Sequence, residues 1–399
     1  MKYKNTAVIL TDALRQNYAA VRSLAESAPQ KPRVICVVKA DGYGHGIEAV
    51  SSTLGEAGCD FFAVSSEVEA AQLRRLEEKH GRTPDILILS HILPVNVGDM
   101  IEMGVTAAVV SEEDAASLSD AVRAYREKTG SDAALSVHVK LDTGMNRVGF
   151  PADEAHADET VRAIVRLAAD PALRLCGVFT HFSCADDELL DGKTVSGMEM
   201  PGDYTRMQLR RFRAVIDGLR VAGVDPGICH CANSAAILAL PEAYFDAVRA
   251  GVILYGLMPN GKPDKRFRPV MRLTSTVLHL HRVHPGDKIS YGATFTAECE
   301  MIVATVGAGY ADGFLRNYTG CLVGIGGKYY RQIGRICMDQ FMVDVTPADG
   351  EECAVRVGDD VLLFGDDEEL NASALAARAH TINYEVVCNL SMRVIRLAE

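Results

Sequence analysis

Val34-Ile35-Cys36-Val37-Val38-Lys39-Ala40-Asp41-Gly42-Tyr43-Gly44-His45-Gly46 is the stretch whose reading decides the fold. An apolar, β-branched run ends abruptly at a lysine, and a glycine-rich turn follows at once. A strand that ends this way places Lys39 where backbone can approach a ligand closely. A buried amine there loses part of its hydration, so its pKa falls from about 10.4 and it becomes a usable nucleophile or base. Taken alone, a lysine in such a place is more often a surface residue with its stem laid over apolar neighbours. The rest of the chain has to decide.

The same pattern recurs outward from this stretch. Short apolar runs stand at 34–38, 61–64, 86–89, 107–110, 135–139, 175–179, 227–231 and 247–250. Between them lie stretches of helical periodicity, such as 67–79, 112–127, 155–169 and 204–221. Strands alternating with helices imply parallel βαβ units. Eight such units within roughly 250 residues predict an α/β fold, a closed (β/α)8 barrel of the TIM type, over 11–258. After about residue 260 the pattern changes. Strands are expected at 271–281, 288–291, 302–306, 321–325, 332–336, 341–345, 361–364 and 391–397, with a clear helix only at 372–379. This predicts a mostly β domain over 259–399, joined through the turn-rich Met258-Pro259-Asn260-Gly261-Lys262-Pro263. A strand at 7–10 could pair with either domain, and 186–202 reads as a long exposed loop.

Composition narrows the function. The chain has 399 residues, 48% hydrophobic and 24% charged, enough for two well-packed domains. A net charge of −12 without a dense basic block argues against nucleic acid as a partner, yet leaves room for a small anion held by a few local cations. The N-terminus lacks the pattern of a signal peptide, and no apolar run reaches the roughly 18 residues of a membrane helix. The 11 scattered cysteines then read as reduced thiols of a cytoplasmic protein. Cys229-His230-Cys231 matches none of the usual zinc spacings, and neighbours on a strand face opposite ways, so core packing is the expected role and no metal is expected.

Barrel chemistry sits at the C-terminal ends of the strands. The polar residues that follow the runs are Lys39, Ser65, Ser90, Ser111, Lys140 with Asp142, Thr180 with His181, and Asn233 with Ser234; Arg249 precedes Gly251 in the last. Asn233 can cap a helix-like run at 235–240, and Arg249-Ala250-Gly251-Val252-Ile253 ends a strand with a glycine and free N–H groups. Phosphates bind at such places, although simple capping explains Asn233 as well. A strand-end lysine with a phosphate cradle suggests pyridoxal 5′-phosphate, whose aldehyde needs a lysine and whose phosphate needs a cradle.

Read end to end, the chain resembles the alanine racemases, pyridoxal-phosphate enzymes built on a barrel plus a β domain. The motifs that carry the likeness are VVKADGYGHG (37–46), VKLDTGMNRVGF (139–150), THF (180–182), ANSAA (232–236), VRAGVILYG (248–256), ISYGATF (289–295), GYADG (309–313), GRICMDQ (334–340) and TINYEV (381–386). The resemblance implies Lys39 as the Schiff-base residue, with Tyr43, Leu89, His181, Asn233, Ser234, Gly251, Ile253 and Tyr384 at the cofactor and Arg249 at its pyridine nitrogen. It implies Arg147 and Met338 at the substrate and a carbamylated Lys140 that orients Arg147; the residues alone are equally met by an unmodified Lys140 paired with Asp142. It implies two catalytic bases, Lys39 and Tyr291, on opposite faces of one planar adduct, with His181 and Arg249 providing a positive field that favours the phenolate. Tyr291 and Cys337-Met338-Asp339 would reach the barrel mouth of a partner subunit, making a homodimer with shared sites. The implied activity is an isomerase interconverting L- and D-alanine and supplying D-alanine for peptidoglycan. A serine or broad-specificity racemase is the nearest alternative. A barrel decarboxylase would pair the ring nitrogen with a carboxylate, and a non-catalytic carrier would lack the β domain. The chain departs from the family pattern in lacking an N-terminal tryptophan, in Met392 and Ile395 where Tyr and Pro are usual, and in the length of the 186–202 segment.

Overall fold

The computed structural model describes residues 4–186, 203–348 and 351–399; most of the expected 186–202 loop therefore lies outside the described residues. Eight parallel strands form the first unit. Ala247–Ala250, Arg33–Val37, Phe61–Val64 and Asp85–Ile88 are hydrogen-bonded neighbours, as are Ala107–Val109, Leu135–Asp142, Leu173–Phe179 and Ile228–His230. Backbone bonds Thr106 N to Ile86 O and Ile88 N to Thr106 O close one seam at 2.9 Å each. Asp246 N to Cys229 O and Arg249 N to Ala232 O close the other, also at 2.9 Å. The result is a (β/α)8 barrel.

The strands form where the sequence offers continuous apolar runs that can be buried on both faces: Phe61–Val64 and Ala107–Val109 are buried at every position. The helices between them begin at side-chain caps. Ser66 accepts from Glu69 N ahead of Glu67–Lys79, and Ser111 accepts from Asp114 N ahead of Glu112–Thr129. A helix at Thr11–Glu26 precedes the first barrel strand and buries Leu14, Tyr18 and Val21.

The remaining strands build an antiparallel sheet. Met271–Val283 pairs with both Asp360–Phe364 and Met301–Val306, and the run continues through Phe341–Asp344, Lys328–Ile333 and Leu322–Ile325 back to Asp360–Phe364. Thr6–Ile9 joins this sheet, antiparallel to Met271–Val283 and parallel to Ile395–Ala398, so the N-terminal strand pairs away from the barrel.

Four expectations here need correction. The strand expected at 391–397 begins only at Ile395 and runs to Ala398, because residues 391–394 form a turn closed by Val394 N donating to Ser391 O. The strand expected at 288–291 stops at Ile289, because Ser290 (φ 68°), Gly292 (φ 74°) and Ala293 (φ 49°) take left-handed backbone, and Tyr291 stands on a short 3-10 turn. The strand expected at 332–336 lies earlier, at Lys328–Ile333, where exposed charged and aromatic side chains hide the alternation although the strand is paired on both sides. A clear helix is expected only at 372–379, yet a second one, Asn383–Cys388, follows Ala372–Arg378 and buries Val386 and Val387. Among the described residues no helix is long and apolar enough to cross a membrane.

Candidate active site

The turn after the first barrel strand is not a loose glycine loop. Ala40 (φ 52°), Asp41 (φ 54°), Gly42 (φ 62°), Tyr43 (φ 52°) and Gly44 (φ 76°) form five successive left-handed residues. That conformation costs roughly 1–2 kcal/mol for each residue with a Cβ, so the surroundings must hold it. Glu69 Oε1 accepts from Ala40 N at 2.7 Å, and its other oxygen takes Ser65 N and Oγ. Asp41 Oδ1 accepts from Ile47 N at 2.8 Å. From the β domain, Arg396 Nε donates to Gly44 O at 3.1 Å. The turn leaves Lys39 at the strand end and sends the Tyr43 ring back across the barrel mouth.

A cavity of about 840 Å³ opens there. Of the residues expected from sequence, Lys39, Tyr43, Leu89, Lys140, Arg147, His181, Asn233, Ser234, Arg249, Gly251 and Tyr384 line it. Ile253 does not; it is buried beneath, in the turn Val252–Tyr255. Tyr291, 70% exposed, and Met338, 51% exposed, lie on the β domain outside the walls of this cavity. Within one chain they are not part of the site. A second cavity of about 910 Å³ lies around Tyr255–Met271 and Phe364–Ser373 and holds none of these strand-end residues.

Positive charge dominates the site in a chain of net charge −12. Lys39 has its amine pKa lowered, first by burial and then by Arg147 and Arg249, against an opposing pull from Glu69. Lys140 is buried, with its ammonium 5.5 Å from the Phe179 ring centroid. Burial, Arg249 and Arg147 push its pKa down to about 8. The pairing of Lys140 with Asp142 does not form. The Asp142 carboxylate instead accepts from Gly144 N, Asn146 N and Arg147 N at 2.9–3.0 Å, and so folds the loop that carries Arg147.

Arg249 is 3% exposed and makes the densest set of bonds in the site. Nη1 donates to His230 Nδ1 at 2.7 Å and His230 O at 3.0 Å. Nη2 meets Thr180 O at 2.7 Å, Cys231 O at 3.1 Å and His181 Nδ1 at 3.2 Å. Burial lowers its pKa only to about 10, so the guanidinium stays charged at neutral pH. Arginine cannot accept, so His181 Nδ1 must be the acceptor and its proton sits on Nε2. The same burial and the neighbouring cations hold His181 far below 6.5. His181 is thus neutral, and the expected positive field comes from Arg249 without it.

On the far side of the cavity, Asn233 caps Ser234–Ala239 by accepting from Ala236 N. Ser234 Oγ accepts from Gly251 N at 3.0 Å. A Cβ at Gly251 would stand 2.7 Å from the Tyr43 hydroxyl and 3.6 Å from Ser234 Oγ. Two hydroxyls therefore converge over a backbone left bare. Tyr384 approaches from the helix Asn383–Cys388, its ring 6.2 Å from that of Tyr43. Asn383 anchors that helix through Met258 O and Ser373 Oγ at 3.0 Å each.

Sequence reasoning missed three residues that shape the site. Glu69 carries a helix-cap pattern and nothing more in sequence. His230 was absorbed into the Cys229-His230-Cys231 run; the cysteines do pack in the core, while the ring between them meets Arg249. His138 lies two residues before Lys140 on the same strand face, the only signal it offered.

Four histidines, His45, His138, His181 and His230, are held neutral by burial, His45 down to about 4 and His138 to about 3. An unfolded chain protonates them near the ordinary 6.5 and so binds more protons below that pH. Stability is therefore fully present above about pH 6.5 and declines as pH falls toward 4 and 3, by up to about 1.4 kcal/mol per pH unit for each histidine. Urea midpoints measured from neutral pH downward should fall along this window; a flat profile would contradict the buried neutral imidazoles.

Comparison with known proteins agrees with this geometry. The family described as alanine racemase, N-terminal domain, matches residues 9–259, and that described as alanine racemase, C-terminal domain, matches residues 270–398. The alanine racemase of Desulforamulus reducens is 39% identical, covering 100% of this chain and 99% of its own. Alanine racemase 1 of Clostridium acetobutylicum is 37% identical over 98% of this chain and 94% of its own. Among solved structures, the alanine racemase of Clostridium difficile 630 superposes with a TM-score of 0.85 at 36% identity, over 99% of this chain and 95% of that one. That from Streptomyces lavendulae gives 0.86 at 33%, over 100% and 98%. With both family domains matched in order and relatives this similar along their whole length, the chain belongs to the alanine racemase family.

Proposed function

We propose that the protein is a cytoplasmic, homodimeric, pyridoxal-phosphate-dependent alanine racemase that interconverts L- and D-alanine and supplies D-alanine for peptidoglycan. The observation that carries this reading is the convergence of Lys39, Arg249, Arg147 and the Tyr43–Ser234–Gly251 cradle on one strand-end cavity. The barrel is assigned to 11–258 and the β domain to 259–399 with the N-terminal strand, which its pairing with Met271–Val283 supports.

The residues present fit the cofactor. Lys39 offers an amine with a lowered pKa, the cradle offers hydroxyls and N–H groups to a phosphate, and Arg249 has only its Nε–H without a partner among the described residues. When bound, pyridoxal phosphate supplies an electron sink that makes the Cα proton of an amino acid removable. Arg249 stays charged and does not give up its proton, so its Nε–H can only donate to the ring nitrogen; among the described residues no carboxylate pairs with it, which favours a racemase over a decarboxylase. Arg147 pairs with the substrate carboxylate.

Lys39 Nζ removes or returns the Cα proton on one face. Tyr291, contributed by a second copy of the chain, does so on the other, and its exposure on the β domain suits that role. Met338 reaches the substrate by the same route. Lys140, with a pKa near 8, is neutral often enough to add CO2 with loss of a proton, and the carbamate so formed would turn a repulsion with Arg147 into an ion pair. Tyr384 narrows the space beside the substrate side chain and favours alanine over serine.

Purified protein given L-alanine or L-serine, followed by chiral analysis of the products, tests the reading: D-alanine should accumulate, and its absence would overturn it. The cradle has a separate test. Gly251→Ala places a Cβ 2.7 Å from the Tyr43 hydroxyl, and cofactor affinity should drop about tenfold or more in an absorbance titration. An unchanged Kd would remove the phosphate from this place.

A further inference from the structure

We propose that His138 is a positioning residue: it fixes the tautomer of His230 and, through it, the orientation of the Arg249 guanidinium. The effect on catalysis rests on the reading of Arg249 given above; the tautomer lock does not.

The argument starts from donor and acceptor identity. Arg249 Nη1 lies 2.7 Å from His230 Nδ1, and a guanidinium can only donate. His230 Nδ1 therefore carries no proton, and the ring of a neutral histidine has its one N–H on Nε2. His230 Nε2 lies 3.0 Å from His138 Nδ1, so His138 accepts there and carries its own proton on its far nitrogen. The chain of bonds from Arg249 through two imidazoles reads in one direction only.

The barrel is built around the His138 ring. Pairing between Leu135–Asp142 and Leu173–Phe179 changes register between Val137 and His138. Gly177 stands opposite, where a Cβ would meet His138 Cε1 at 2.5 Å, His138 Nδ1 at 2.7 Å and Ile228 O at 2.6 Å. A ladder is interrupted and a side chain omitted at the point where the imidazole enters. Phe61 meets His138 edge-on with centroids 6.4 Å apart, and Phe179 stacks on His230 at 5.0 Å. Barrel interiors are normally filled by branched apolar residues. Here two imidazoles, 0% and 2% exposed, occupy that place, which is unfavourable unless their polar atoms are paired.

Without an acceptor at 138, His230 Nε2–H becomes a buried donor with nothing to bond. The other tautomer would relieve it, but sets an N–H of His230 against an N–H of Arg249. Either outcome loosens the grip that leaves Nε as the one free donor of the guanidinium. Misplacing a reacting group by about 1 Å can lower a rate by up to about 10²-fold.

The test compares wild type with His138→Phe, which keeps the ring without its acceptor, and His138→Gln, which supplies an acceptor oxygen. Protein labelled with 15N-histidine is studied with and without pyridoxal phosphate. In the wild type both His138 and His230 should show the Nε2–H tautomer. In His138→Phe the single-tautomer signature of His230 should vanish, with kcat for alanine falling about tenfold or more and KM moving less than about twofold. His138→Gln should recover part of both. A wild-type His230 protonated on Nδ1, or a His138→Phe protein with unchanged tautomer and kcat, overturns the proposal. Should the wild type prove inactive on alanine, the racemase reading fails while the ring-nitrogen spectra still decide the lock. Should His138→Phe fail to fold, the wild-type spectra and His138→Gln carry the test.

Discussion

Lys39→Ala protein should form no measurable D-alanine from L-alanine. Two contributions are removed by one truncation. A positioned general base is worth roughly 10²–10⁴-fold, and the covalent anchor of the cofactor is lost with it. Lys39 is half-buried and sits among Arg147 and Arg249, both of which push its pKa down. Removing an amine from that company relieves repulsion, so the variant should fold normally and melt no lower than the wild type. The cradle of Tyr43, Ser234 and Gly251 is left intact. Cofactor should accordingly still bind, reversibly, without the absorbance of the covalently held form. Chiral chromatography together with a melting curve checks this. D-alanine formed at a rate near that of wild type would dismiss Lys39 as anchor and base.

Tyr291→Phe should retain fold and dimerisation yet lose about 10²–10⁴-fold of its activity, with the L-to-D direction suffering more than D-to-L. Tyr291 is 70% exposed in the single chain, and deleting one exposed hydroxyl changes stability by no more than about 0.5 kcal/mol. A surface tyrosine with so large an effect must act somewhere other than on its own subunit. Mixing distinguishes this. Lys39→Ala and Tyr291→Phe proteins, each inactive, should regain activity when unfolded together and refolded. A mixed dimer with shared sites has one site carrying both substitutions and one carrying neither, so random pairing restores about a quarter of all sites. If each site is built from one chain, no mixture recovers anything, and the shared-site dimer is wrong.

Much of this could be read before any coordinates. The barrel strands are found within three residues of the apolar runs that predicted them, because a strand covered on both faces must be apolar along its length. That regularity also placed Lys39, His181, Ser234 and Arg249 on a common rim. The β domain was harder. Lys328–Ile333 is an exposed strand bearing Lys, Tyr and Arg, and a face turned to solvent carries no apolar rhythm. Asn383–Cys388 is too short for a helical period to declare itself, although it carries Tyr384. Asp142 looked like the partner of Lys140, two residues away on the same strand face; its oxygens were taken by the backbone of the loop that follows.

What the sequence by itself determined is the alternation of buried strands and amphipathic helices, and with it the rim on which the lysine, histidine and arginine stand. Local periodicity and steric preference suffice for that. Tertiary structure decided which atoms face each other. His138 and His230 are 92 residues apart, and their ring nitrogens meet only because the barrel closes. The five left-handed residues after Lys39 persist because Glu69 and Arg396 hold them from other elements. Proton positions, charge states and strain depend on partners distant along the chain, and no pattern within a short window records them.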